Sequence, residues 1–134
     1  MPFDALTLGA VRRDLARRLL QARLDRIFQP GRSELVFVWR RGNEQYRMQF
    51  GAEAPGPWLG LVDSSPENPA NPPAFCMLLR KYLSGGRLLR LVQPPFERRI
   101  ALVFEHYDEL VGLAERALHL ELMGRRGNAV LTEA

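Results

Sequence analysis

The spacing of apolar positions predicts a helix near each of two arginine-rich segments. Apolar residues recur at i, i+3, i+7 and i+11 from Leu8 to Leu19, with Thr7 as a candidate N-cap, so we expect a first helix ending at about Leu20. A second helix is predicted from Ala74 to Leu83, closed by two glycines. Its expected buried face holds Phe75, Leu78, Leu79 and Tyr82, with Cys76 and Met77 to the side.

Strand patterns occupy most of the remaining chain. An apolar run from Leu35 to Trp39 is typical of a central strand, and residues 46, 48 and 50 alternate with polar ones. With Arg23–Gln29 these segments predict an antiparallel meander. The segment from Gly51 to Pro73 holds six of the ten prolines, which predicts a long connection with one short edge strand. Further strands are expected at Ile100–Phe104, Leu118–Leu122 and from Ala129.

One arginine-rich segment occurs twice. Residues 23–30 and 87–94 share Arg-Leu-x-Arg-x-x-Gln-Pro, five of eight positions, and each copy follows a helix and precedes an apolar run. The repeat indicates an internal duplication with a pseudo-symmetric core. The alternative is a chance resemblance, because helix–strand–turn–strand units are common. The second copy alone continues into Glu97-Arg98-Arg99, which makes it the candidate functional copy.

The elements predict one α+β domain, with two helices on antiparallel strands arranged as a sandwich or partly open barrel. A chain of 134 residues is large enough to bury its own core without disulfides. The single cysteine excludes cysteine-cluster metal sites, and no signal peptide or apolar run of about 18 residues is visible, so we expect a cytoplasmic protein. A net charge of +4 weakly favours a nucleic-acid partner.

Catalytic constellations are nearly absent, so we expect no enzyme activity, no cofactor and no metal. His106 and His119 have no spaced third ligand, and no glycine-rich loop is suited to a nucleotide. What remains is Glu97-Arg98-Arg99 and the turn from Gly124 to Asn128. Arginine can bind phosphate or guanine, and a carboxylate can accept from base amino groups. A surface ion pair without function is the alternative that residue types leave open.

Several segments, in order, resemble the N-terminal domain of the NFACT family, the ribosome-associated quality-control factors called RqcH in bacteria and often labelled fibronectin- or fibrinogen-binding proteins. The resemblance covers nearly the whole chain. It is carried by residues 4–8, Ala22–Gln29, Pro72–Lys81, Gln93–Arg98 and Glu121–Arg125 with Asn128.

This resemblance implies a factor that binds a stalled large ribosomal subunit and recruits alanyl-tRNA for template-free tailing of the stalled chain. The family's Asp-Arg pair, needed for tRNA engagement, falls on Glu97-Arg98, with glutamate in place of aspartate. The family's Gly-Arg-His-Ser-Asn turn reads Gly-Arg-Arg-Gly-Asn here. Further candidate RNA contacts are Arg99, Arg80, Lys81, Arg125 and Asn128. The domain is expected to be a piece of a longer chain with the remaining NFACT domains.

Two other functions stay open at this point. One is a surface adhesin for fibronectin, which the absence of a signal peptide disfavours. The other is a DNA glycosylase, since the NFACT domain resembles the N-terminal domain of formamidopyrimidine-DNA glycosylases in fold. Those enzymes use an N-terminal proline followed by glutamate; Pro2 is present here, but Phe3 stands where the glutamate is required. The glycosylase is therefore the less favoured reading.

Overall fold

The described part of the chain folds into two helices and eight strands. The structure is a computed structural model, and it describes residues 4–53, 56–122 and 127–133. Neither described helix is long and apolar enough to cross a membrane. In chain order the elements are α1 (Ala5–Leu19), β1 (Arg23–Phe28), β2 (Glu34–Arg41), β3 (Glu44–Gly51), β4 (Trp58–Leu61), α2 (Ala74–Leu83), β5 (Arg87–Val92), β6 (Arg99–Asp108), β7 (Gly112–Glu121) and β8 (Asn128–Glu133).

All eight strands lie in one antiparallel sheet, in the order β4-β3-β2-β1-β5-β6-β7-β8. The predicted meander of β1, β2 and β3 is confirmed, and so is β4 as an edge strand. The sheet is open, yet its two halves approach at one end, where the Gly127 amide donates to the Ala52 carbonyl at 2.7 Å. The predicted α+β class, with two helices on antiparallel strands, is confirmed.

The repeated segment is a structural repeat. β1 and β5 meet only where Arg23 lies opposite Arg87, and each strand has a register irregularity at its third residue. The backbone hydrogen bonds around this point form pairs in which equivalent residues are 64 positions apart. The Gln21 amide donates to the Leu88 carbonyl, and the equivalent Gly85 amide donates to the Leu24 carbonyl. The two halves are therefore related by an approximate two-fold axis, which confirms the structural equivalence that the sequence indicates.

The core lies between the two halves. Trp39 of β2 stacks on Phe104 of β6 with ring centroids 5.6 Å apart and an interplanar angle of 10°. These residues hold equivalent places, since Trp39 lies opposite Leu24 and Phe104 opposite Leu88. Phe37 and Trp39 are both fully buried, which confirms that β2 is a central strand. The aromatic stack thus joins the halves at the pseudo-axis.

Each helix packs in part against the strand of the other repeat. α1 contacts β4, β5 and β6, while α2 contacts β1 and β6. The predicted apolar face of α1 is confirmed, because Leu8, Leu15 and Leu19 are fully buried or nearly so. This exchange places the first turn of α1 beside the end of β5.

Two details of the helices differ from the sequence prediction. α1 begins after Asp4, whose carboxylate accepts from the Thr7 amide at 2.8 Å, so the predicted Thr7 cap is wrong. Both residues are good N-caps, and Asp4 adds one more turn to the helix. On α2 the buried residues are Cys76, Leu79 and Leu83, whereas Leu78 is 42% exposed. The predicted face is confirmed at Leu79 and wrong at Leu78, because α2 is apolar on several sides and the sequence leaves its rotation undefined.

Gly86, between the end of α2 and the start of β5, allows the close packing of the backbone there to be tested. A Cβ at this position would lie 2.9 Å from the Leu83 carbonyl oxygen and 3.2 Å from that of Glu105. Since both are backbone atoms that cannot rotate away, we expect Gly86→Ala to lower the free energy of unfolding by about 1–3 kcal/mol. Gly60→Ala is the matched control, because nothing lies within 4 Å of its Cβ position. Equal urea midpoints for the two variants would contradict the close approach.

Candidate nucleic-acid interface

The residues from Gln93 to Arg98 form a tightly held loop between β5 and β6. The Gln93 side-chain amide donates to the Ala5 carbonyl at 3.0 Å and to the Glu97 carbonyl at 2.9 Å. The Glu97 amide closes a turn on the Pro94 carbonyl at 3.2 Å. One glutamine therefore ties this loop, the β5–β6 loop, to the start of α1. Gln29, its equivalent in the first repeat, donates to the Arg32 carbonyl at 3.3 Å instead.

Glu97 and Arg98 lie outside the strand ladder, because β6 begins only at Arg99. Strict alternation of side chains between two faces therefore does not apply to them. Glu97 Oε2 accepts from Arg99 Nε at 2.5 Å, and both side chains are more than two fifths exposed. Such an exposed pair contributes about 0–1 kcal/mol to stability. The pair orients the Glu97 carboxylate at the surface without burying it.

Arg98 is held by its backbone while its guanidinium stays available. Its carbonyl accepts from the Leu122 amide at 2.7 Å, which continues the β6–β7 pairing beyond the ladder. Its side chain is half-buried, and among the described residues it forms no hydrogen bond and no ion pair within 4 Å. The guanidinium can therefore bind an external anion without breaking a hydrogen bond or an ion pair among the described residues.

Asp4, at the N-terminus of α1, lies near enough to Arg98 for the positive charge to affect the pKa of its carboxyl group. The Thr7 backbone amide is the main cause that keeps the pKa of Asp4 below its usual range, and Arg98 lowers this pKa further. A carboxyl group whose pKa is lower in the folded state stabilises the fold at neutral pH. That contribution is lost as the pH falls through the lowered pKa. Asp4 thus caps α1 and places negative charge near the guanidinium.

Asn128 lies at the same end of the sheet as the β5–β6 loop. Arg99 of β6 is opposite Glu121 of β7, which in turn is opposite Asn128 of β8. The Asn128 side-chain amide donates to Glu121 Oε1 at 3.3 Å. The structure therefore places Arg99 and Asn128 at the end of the sheet that carries Glu97 and Arg98. Arg125 lies outside the described residues.

Arg80 and Lys81 lie elsewhere. Arg80 Nε donates to the Ile27 carbonyl at 2.9 Å, and its guanidinium lies over the Phe28 ring at 5.6 Å. The Lys81 ammonium lies 5.3 Å from the Tyr82 ring. Neither side chain forms a hydrogen bond or an ion pair with a described residue of the β5–β6 loop, so no direct contact joins Arg80 or Lys81 to Glu97 and Arg98.

A groove of about 440 Å³ runs between α1 and the β5–β6 loop. It is lined by Arg12 and Arg13 from α1 and by Phe96 from the loop, none of which is among the candidate RNA contacts predicted from the sequence. A second cavity of about 610 Å³ is lined by Gln29, the equivalent of Gln93 in the first repeat, and also by Asn128. Its lining holds one arginine and two carboxylates, so its charge suits an anion less well. Among the described residues, no three metal-ligating side chains come together.

Fold and site together define an α+β domain that presents an arginine-bearing loop at one end of an eight-stranded sheet. Residues 4–134 match the family described as NFACT N-terminal and middle domains. The chain therefore belongs to the NFACT family. This confirms the family resemblance that the sequence motifs indicate.

Relatives and solved structures agree with this assignment. The chain is 28% identical over 134 residues to the Rqc2 homolog RqcH of Bacillus subtilis, covering 100% of this chain and 24% of that protein. It is 30% identical over 106 residues to the archaeal Rqc2 homolog aRqcH of Methanocaldococcus jannaschii, covering 75% and 15%. The chain thus spans about a quarter, or less, of these relatives.

In structure the chain is similar to the N-terminal domain of the fibronectin-binding protein PavA from Streptococcus pneumoniae. The TM-score is 0.93 at 29% identity, covering 98% of this chain and 52% of that one. The fibrinogen-binding protein from Staphylococcus aureus gives a TM-score of 0.86 at 26% identity, covering 99% and 47%. These similarities support the fold described above.

Proposed function

We propose that this domain binds tRNA through the β5–β6 loop, as part of a cytoplasmic factor that associates with stalled large ribosomal subunits. In this proposal the full-length protein recruits alanyl-tRNA for template-free tailing, and the domain itself performs no chemistry. The remaining NFACT domains of the protein would supply further contacts. Membership of the NFACT family and similarity to RqcH homologues support this role.

The observation that carries the proposal is the state of Arg98. Its backbone is fixed by Leu122, and its guanidinium has no hydrogen bond or ion pair among the described residues. A guanidinium on a fixed backbone, with its hydrogen-bond donors unused among the described residues, is suited to a phosphate or a base edge. Glu97, Arg99 and Asn128 extend the same surface with groups that can contact bases or phosphates.

The role of Glu97 can be tested by a pair of substitutions. If its carboxylate accepts from a base amino group, Glu97→Asp should keep tRNA binding and Glu97→Gln should weaken it, because only the first keeps the charge. We expect the melting temperatures of both variants to match the wild type, since the Arg99 pair is exposed. The measurement is tRNA affinity of the full-length protein, alongside thermal melts. Equal affinity for Glu97→Gln and wild type would remove the carboxylate from the interface.

Fibronectin binding is the second candidate, favoured by the name of the structurally similar protein from Streptococcus pneumoniae. The two candidates are separated by measuring sedimentation of the full-length protein with purified large ribosomal subunits and its binding to immobilised fibronectin. We expect the protein to sediment with the subunits in moderate salt. Binding to fibronectin with no sedimentation would favour the adhesin instead.

A further inference from the structure

Phe96 is an aromatic residue placed almost entirely in solvent. Its side chain is 93% exposed, at the tip of the β5–β6 loop. Transfer of a phenyl ring out of water is favourable. A ring that stays in water therefore adds nothing to the stability of the domain. A single exposed apolar residue is common on protein surfaces. Three further features set Phe96 apart: its backbone conformation, the rigidity of its loop and the charge beside it.

The backbone at Phe96 is strained. Its φ of 62° lies in the left-handed region, which is uncommon for a residue with a bulky side chain. Glycine would adopt this conformation without steric cost, yet phenylalanine stands here. Residues in such sparsely populated regions cluster at ligand-binding sites. The strained backbone and the exposure of the ring together indicate that the ring contacts a ligand rather than the rest of the domain.

The loop around Phe96 is fixed on both sides. Gln93 ties it to the first residue of α1 and to Glu97, and the Glu97 amide closes the turn on Pro94. Two consecutive prolines, Pro94 and Pro95, restrict the chain before the ring. An exposed ring on a rigid loop loses little conformational entropy when it binds a ligand.

The groove beside Phe96 is basic, because the charged residues of its lining are both arginines. Arg12 and Arg13 line the groove between α1 and the loop, together with Leu6 and Val92. Arg98 follows two residues after Phe96. Aromatic side chains interleaved with arginines are the usual means by which proteins bind unpaired nucleotides: the rings stack on bases and the guanidinium groups contact phosphates.

We propose that Phe96 stacks on an unpaired base of the RNA that the β5–β6 loop binds, and that Arg12 and Arg13 contact the phosphates next to that base. This inference rests on the proposed function, because it assigns a base-stacking site to the same loop. It adds three residues, from two parts of the chain, to the RNA-binding surface. The ligand class is a single-stranded segment of RNA, such as a tRNA loop or end.

Three substitutions of Phe96 in the full-length protein separate stacking from apolar contact. Phe96→Trp keeps an aromatic face and should bind tRNA within about twofold of the wild type. Phe96→Leu keeps the apolar character but loses the π-face, so we expect affinity to fall by about fivefold to a hundredfold. Phe96→Gly should lose as much affinity while its melting temperature stays equal or rises, because glycine relieves the positive φ.

Salt dependence supplies a second readout. A stacking contact releases no counterions, so Phe96→Leu should keep the wild-type slope of log Kd against log salt. Arg12→Ala and Arg13→Ala should each make that slope shallower. Leu110→Ala is the matched control: Leu110 is also 93% exposed, but it lies in the turn between β6 and β7, and we expect wild-type binding.

The inference is overturned if Phe96→Leu binds tRNA with wild-type affinity, a result that would also be expected of a loop that docks on a protein. Arg98→Ala in the same assay separates this failure from failure of the proposed function. If Arg98→Ala loses tRNA and Phe96→Leu retains it, only the stacking role is wrong. If both variants retain wild-type affinity, the loop is not the RNA-binding surface and both proposals are wrong.

Discussion

Arg98→Ala is expected to leave the melting temperature nearly unchanged and to abolish template-free tailing by the full-length protein. The fold is unaffected because the guanidinium makes no hydrogen bond or ion pair among the described residues, while the backbone contact to Leu122 does not depend on the side chain. Loss of the charge near Asp4 has a small effect, since the Thr7 amide remains its main partner. Losing a charge-assisted contact to RNA typically costs about 1.5–3 kcal/mol, which corresponds to about tenfold or more in affinity.

Arg17→Ala is the matched control for this experiment. Arg17 is 72% exposed on α1 and pairs only with Asp14 among the described residues, at 2.7 Å. Its replacement removes the same charge from the protein, so it corrects for the change in net charge. We expect Arg17→Ala to keep both tRNA binding and tailing. If Arg98→Ala melted early yet still held tRNA, Arg98 would be a structural residue and the assignment would be reversed.

Phe37→Ala is expected to have the largest effect on stability. Phe37 is fully buried in β2, lies opposite Ile27 and Met48, and stacks near Trp39 with centroids 6.3 Å apart. Truncation removes a ring from the core between the two halves and leaves a cavity that the sheet cannot close. The free energy of unfolding should fall by about 3–5 kcal/mol, measured by urea denaturation.

Tyr107→Ala controls for the loss of an aromatic residue from a strand. Tyr107 lies in β6 but is 65% exposed, so its replacement should change the free energy of unfolding by no more than about 0.5 kcal/mol. A denaturation midpoint for Phe37→Ala within error of the wild type would contradict the central position of β2. Because Phe37 is remote from the β5–β6 loop in the ladder, this test is independent of the functional proposal.

The repeat could be predicted from the sequence because its signature is local. Arg-Leu-x-Arg-x-x-Gln-Pro fixes the strand, its irregularity and its exit turn in both copies. Strand positions followed from alternation and from apolar runs, as β2 and β3 show. The exchange by which each helix packs in part against the strand of the other repeat could not be predicted, because no sequence pattern records which copy a helix contacts.

The helix faces show where apolar patterning fails. α1 has a single apolar stripe, and Leu8, Leu15 and Leu19 were predicted correctly. α2 carries apolar residues on several sides, so its rotation is decided by contacts with β1. There the Cys76 thiol approaches the Ile27 carbonyl at 3.6 Å, and Arg80 donates to the same carbonyl. These two contacts, across 49 and 53 residues of sequence, leave no trace in the periodicity of the helix.

The candidate site was predictable only in part. Glu97 and Arg98 stand out by residue type and by family resemblance, and the structure shows that they lie outside the ladder, after Pro94 and Pro95. The sequence does not show that Arg12 and Phe96, 84 positions apart, line one groove. They are brought together by the packing of α1 against β5 and β6 and by the hydrogen bond from Gln93 to Ala5. Surfaces built from distant segments require the structure.

The central claim, that this domain holds tRNA through Arg98, is tested most directly by sequencing the RNA that co-purifies with the full-length protein. The wild type and Arg17→Ala should enrich alanine tRNA together with the RNA of the large ribosomal subunit. Arg98→Ala should retain the large-subunit RNA and lose the tRNA. Equal recovery of tRNA with Arg98→Ala and wild type, or no tRNA with the wild type, would contradict the claim.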